Sequence, residues 1–171
     1  MSVLFLSECF TETLLYSHLL YDQKNLYTHK HSVTTVLKSM QFYTGPYSVL
    51  VGCIDNDKHL NYAYMNEFQV QKKEFDVVIL KHQQDENKVL IQLNPAAETW
   101  LLETAKVAGV NPKDFNLPAT PDRLKNFSTT SSKQNQAILK SFIKAIFASS
   151  NERANYLRGI VESYDIKPDW V

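Results

Sequence analysis

The chain has 171 residues, 44% of them hydrophobic and 21% charged, with Lys plus Arg balancing Asp plus Glu at 18 each. That length suits a single folded domain with its own core, and the composition excludes the disordered and fibrous classes. Zero formal net charge excludes a long-range pull on nucleic acid, so any such contact is a local one. No apolar run approaches the roughly 18 residues that a membrane span needs. The start, MSVLFLSECF, lacks a basic segment and a small-residue cleavage site. A cytoplasmic protein with no membrane partner is expected. Two cysteines, Cys9 and Cys53, are too few for a disulfide framework and read as buried reduced thiols.

Residues 2 to 8 are nearly continuously apolar, which suits a strand buried on both faces, and Glu8 ends it. From Thr11 the period becomes helical through Leu14, Leu15, His18, Leu19 and Tyr21, with an exit at Asp22 to Asn25. Leu26 to His31 reads as a weak strand. Ser32 caps a second helix carrying Val33, Val36, Leu37 and Met40, which ends before Gly45-Pro46. Tyr47 to Asp55 is the third strand. This alternation predicts an α/β fold with a parallel sheet, and such sheets bind ligands beyond the carboxyl ends of their strands.

Lys58 to Lys73 is polar and tyrosine-rich and carries no clear period. Phe75 to Lys81 and Lys88 to Leu93 flank the polar turn 83–87 and read as two paired strands. Asn94-Pro95 marks a helix start, with Asn94 as the cap; the helix carries Ala97, Trp100, Leu101 and Ala105 and stops at Gly109. Glu98 falls in its first turn, where the macrodipole favours a negative charge. Residues 111 to 135 contain three prolines and a Ser/Thr tract and read as a surface connection without long elements. A pair of amphipathic helices follows, the first marked by Ile138, Phe142, Ala145 and Ile146. The second is marked by Tyr156, Leu157, Ile160, Val161 and Tyr164, with Asn151 as its cap.

Asp55 and Asp57 share a face if the chain is extended there, about 6.5–7 Å apart. Two readings stand: a polar turn leaving a strand, or a carboxylate pair for a hard cation such as Mg²⁺, with Glu8 from a neighbouring strand as a third oxygen donor or proton carrier. His29 and His31 alternate on the second strand, but no further ligand is in register for zinc. Lys24, Lys30 and Lys38, joined by those histidines with no intervening carboxylate, form a local basic stretch. That stretch is a solvated face or a contact for DNA or RNA.

A glutamate after the first apolar strand, Leu-Phe-Leu-Ser-Glu8, and Cys-Ile-Asp55-Asn-Asp57 after the third resemble the Toprim domains of topoisomerases, primases and related nucleases. The likeness spans about residues 2 to 100. It implies a three-layer, mostly parallel Toprim-like sheet over residues 1–110. Residues 111–171 are then a connecting loop and C-terminal helices packed on the core or offered to a protein partner, all one domain. It implies further that Asp55 and Asp57 bind Mg²⁺ or Mn²⁺, that Glu8 is the acid/base or another ligand, and that Glu98 is a further acidic position. The activity implied is metal-dependent phosphodiester chemistry on DNA or RNA, as a nuclease or phosphotransferase. Two departures favour an alternative, a non-catalytic interaction module with a degenerate site. Cys9 stands where many Toprim domains have glycine, and His31-Ser32 replaces a glycine-rich turn.

Overall fold

The computed structural model describes residues 2–56, 61–129 and 132–164. The chain opens with strand β1 (Val3–Ser7), helix α1 (Phe10–Leu19), strand β2 (Tyr27–His29), helix α2 (Val33–Gln41) and strand β3 (Val49–Asp55). Three further strands follow, β4 (Phe68–Glu74), β5 (Val77–His82) and β6 (Lys88–Leu93). Helices α3 (Ala97–Val107), α4 (Pro121–Thr129), α5 (Lys133–Ala148) and α6 (Glu152–Glu162) complete the described residues. None of their helices is long and apolar enough to cross a membrane.

The six strands form one mixed sheet in the order β2-β1-β3-β6-β5-β4. β2, β1, β3 and β6 run parallel, while β5 and β4 run antiparallel to their neighbours. The parallel order follows from the alternation of strand and helix in the first third, because only a covered crossover can return the chain in the same direction. Every residue of β3 up to Ile54 is buried, as a strand covered on both faces requires.

Alternate strand residues feed two separate cores. Phe5, Val51, Cys53, Ile91 and Leu93 pack with Leu15 of α1, Trp100 and Leu101 of α3, Leu124 of α4, Phe142 and Ile143 of α5 and Leu157 of α6. Leu6, Leu50, Ile54, Val78, Leu80 and Leu90 pack instead with Val33, Val36, Leu37 and Met40 of α2. Gly52 lets α2 approach the sheet closely. A Cβ there would lie 2.6 Å from Leu90 Cδ2 and 2.7 Å from Met40 Sδ.

Several expectations are corrected. The unassigned stretch before residue 74 contains the edge strand β4, so the 75–93 hairpin is part of a three-strand meander. The cap of α3 is Ala96, which is extended, and not Asn94. The connection at 111–135 contains the nine-residue helix α4, so the described residues after 110 hold three α-helices where a pair is expected. Both cysteines are free; Cys53 is buried and Cys9 only half so.

Candidate metal centre

β1 and β3 are parallel neighbours in register through Ser7 and Cys53, and the Glu8 amide extends that ladder by donating to the Cys53 carbonyl at 3.1 Å. Both strands therefore stop at the same edge of the sheet, and their first acidic residues, Glu8 and Asp55, meet there. The Asp55 amide donates to Glu8 Oε2 at 3.0 Å. Asp55 Oδ1 accepts from the Ala97 amide at 2.7 Å, so the first residue of α3 pins the carboxylate from the other side. An amide at a helix start is a ready donor with a favourable dipole.

A third carboxylate arrives from α1. Cys9 caps this helix: its Sγ accepts from the Glu12 amide at 3.4 Å, and Glu12 Oε2 accepts from the amides of Glu8 and Cys9 at 2.8 and 3.2 Å. This is the capping-box arrangement with a thiol in place of the usual hydroxyl. It draws the Glu12 side chain back over Glu8. Ligand oxygens of Glu8, Glu12 and Asp55 all lie within 4.8 Å of one another. Glu12 is fully buried, and its Oε1 has no hydrogen-bond partner.

Three carboxylates this close repel one another unless protons or a cation intervene. Burial pushes the Asp55 carboxyl up to about 7, Glu8's charge adds to the rise, the Ala97 amide opposes it, Glu98 adds to it, and Lys125 of α4 opposes it. Burial, followed by the charges of Asp55 and Glu8, pushes Glu12 well above the ordinary carboxylate range. Burial also raises the Cys9 thiol, with Glu12 and Glu98 next, so at neutral pH it is a protonated thiol and not a nucleophilic thiolate.

The expected ligands are placed as follows. Glu8 and Asp55 converge. Asp57 lies outside the described residues. Glu98, in the first turn of α3, is buried and accepts from Thr11 Oγ1 at 2.6 Å, which ties α1 to α3. Its charge is felt at Asp55 and Cys9. Among the described residues the close group of three also contains Glu12, which is not among the expected ligands, and does not include Glu98. Glu12 escapes a reading by motif because Cys9-x-x-Glu12 does not resemble a capping box at sight; its four-residue spacing from Glu8 is the available signal. His29 and His31 stand in ring contact with each other, with no further His, Cys, Asp or Glu joining them in a close group among the described residues.

Oxygen-only donors, compact spacing and a buried, unpartnered carboxylate oxygen fit a small hard cation such as Mg²⁺ or Mn²⁺. Comparison with family models, with curated proteins and with solved structures finds no match in any of the three.

Proposed function

We propose that the chain is a Toprim-like, three-layer α/β protein that carries out metal-dependent phosphodiester chemistry on DNA or RNA, as a nuclease. The single observation supporting it is the meeting of Glu8, Glu12 and Asp55 at the carboxyl edge of the parallel strands, where open sheets take ligands. Glu8, Glu12 and Asp55 are the residues to hold Mg²⁺ or Mn²⁺, with Asp57 as the further ligand that the Toprim resemblance implies. Bound there, the ion supplies Lewis-acid polarisation of a phosphoryl oxygen and a more acidic water.

The protein's own groups have separable tasks. Asp55 is oriented by the Ala97 amide and Glu12 by two backbone amides, so neither carboxylate has to be reordered when a cation arrives. Glu8, in the same close group as both, is the group assigned to carry the proton. Lys125, whose charge reaches Asp55, offsets part of the negative charge that a phosphodiester brings.

A second reading has its own support. Glu8 Oε2 and Glu12 Oε2 are both engaged by backbone amides, which is also how carboxylates serve a purely structural corner. In that reading the chain is a non-catalytic binding module with a degenerate site.

Calorimetric titration of Mg²⁺ and Mn²⁺ into the wild type and Asp55→Asn, followed by assays on labelled single- and double-stranded DNA and RNA, separates the two. The nuclease reading expects metal binding that the substitution abolishes or weakens severely, and metal-dependent cleavage that goes with it. Equal metal affinity in both proteins would sink it. Metal binding without cleavage of any of the four substrates favours the binding module.

A further inference from the structure

Beside the carboxylates stands a feature that the metal chemistry does not use. The Phe10 and His29 rings have centroids 4.3 Å apart, and the His29 and His31 rings 4.1 Å apart, tilted at 49° and 53°. The three make a continuous ladder from the first residue of α1 to the loop after β2. His29 lies opposite Ser7 in the sheet register, and Phe10 is two residues past Glu8, so the inner end of the ladder abuts the carboxylate site. The Lys30 amide, donating to the Ser7 carbonyl at 2.8 Å, fixes the loop to the end of β1.

The outer end faces solvent. Phe10 and His29 are half-buried, while His31 is exposed. His31 has φ 70°, in the left-handed region that non-glycine residues seldom occupy, and the chain reverses there into the Ser32 cap of α2. Such strain is a recurring mark of functional loops. Between residues 24 and 38 the chain has Lys24, Lys30 and Lys38 and no carboxylate. Exposed aromatic rings take stacked bases without regard to sequence, and Lys30 stands between the two histidines in the chain.

We propose that the Phe10, His29 and His31 ladder is a stacking shelf for an unpaired nucleobase, which makes single-stranded nucleic acid the ligand of the site. This rests on the phosphodiester reading for the phosphate beside the base, though the shelf binds a strand whether or not cleavage follows. A base inside a duplex has both faces covered by its neighbours and cannot use the shelf, so the preference for single strands is its signature.

The experiment is anisotropy titration of the full-length protein with short fluorescein-labelled oligothymidylate and oligouridylate, each single-stranded and annealed to its complement, with Ca²⁺ in place of Mg²⁺. His31→Asn removes the ring while keeping a residue type that tolerates the left-handed backbone. His31→Phe keeps a ring without the imidazole nitrogens. The shelf predicts that His31→Asn weakens single-strand binding about five- to hundredfold, that His31→Phe restores most of it, and that duplex binding is unchanged. The DNA and RNA arms tell which sugar is preferred. Single-strand binding that is undetectable in the wild type, equal in His31→Asn, or as poor in His31→Phe as in His31→Asn overturns the shelf. Failure of the metal reading looks different: Asp55→Asn then leaves metal affinity unchanged, while the His31→Asn loss on single strands persists.

Discussion

Asp55 is held with its carboxyl at about 7, against an ordinary 3.8, mainly by burial and by Glu8. Between those two values the folded protein keeps a proton that the unfolded chain has released. Its contribution to stability is therefore complete below about pH 4 and is lost as pH rises through about 7, a swing on the order of 4 kcal/mol at most. Burial and the same charges move Glu12 in the same direction. In chelator, thermal melting is expected to fall as pH is raised from about 5 to about 8. Asp55→Asn, which still offers an oxygen to the Ala97 amide, is expected to melt higher at about pH 8 and with a flatter profile. Parallel profiles for the two proteins would show that the fold does not raise the Asp55 carboxyl. Glu12→Gln separates stability from binding. It is expected to stabilise the metal-free protein near neutral pH while lowering Mn²⁺ affinity at least about tenfold, read by calorimetry. Unchanged affinity would confine Glu12 to its capping role.

At the scale of elements, the fold depends on a few close fits between helices and sheet. Gly52 lies under α2, and Gly52→Ala is expected to cost about 1–3 kcal/mol, because Leu90 and Met40 must both yield to the added methyl. Denaturation in urea gives the value, and a neutral result would mean that α2 can lift off the sheet freely. Asn151 is a heavier determinant than a surface cap. It is buried, its Oδ1 accepts from the Ala154 amide at 2.8 Å, and its Nδ2 donates to the Ile146 carbonyl at 3.3 Å and Ser149 Oγ at 2.8 Å. It thus joins the end of α5 to the start of α6. Asn151→Ala is expected to cost about 2 kcal/mol, near the upper end for caps, since buried partners lose their bonds as well. The edge strand β4 shows the opposite economy. After Phe68 it has five consecutive exposed residues, including Lys72 and Lys73, and charged side chains of this kind discourage pairing with another molecule.

On the scale of the whole molecule, the residues after 110 belong to the same core as the strands. Leu124, Leu139, Phe142, Ile143, Ile146, Leu157 and Val161 pack in one cluster with Phe5, Val51 and Trp100. Trp100 itself is fully buried, with its indole N–H donating to the Phe75 carbonyl at 2.9 Å. A fragment ending at residue 110 would expose the face of α1 and α3 that α4 and α5 cover. It is expected to lose cooperative thermal unfolding and to bind a hydrophobic dye, as a chain does when its packing is lost but its secondary structure survives. A sharp two-state melt of that fragment would show instead that the C-terminal helices are an accessory. The same helices bear on the site, because Lys125 of α4 is felt at Asp55.

By itself the sequence determined the elements whose burial is written in their own residues. The runs 2–8 and 47–55 are apolar enough to demand cover on both faces, and Val33, Val36, Leu37 and Met40 recur at helical spacing behind a serine cap. From these follow the alternation of strand and helix and the placing of Glu8 and Asp55 at strand ends. Only the tertiary structure decided what local pattern does not encode. β4 has a single buried residue and exists because β5 pairs with it, and α4 forms across a proline-rich stretch because Leu124 has a core to enter. Glu12 joins the carboxylate group through a capping bond that folds its side chain back toward Glu8. Its meeting with Asp55, 43 positions along the chain, depends on the parallel pairing of β1 with β3. Periodicity reports which side of an element is buried; it carries no information on which distant groups share that burial.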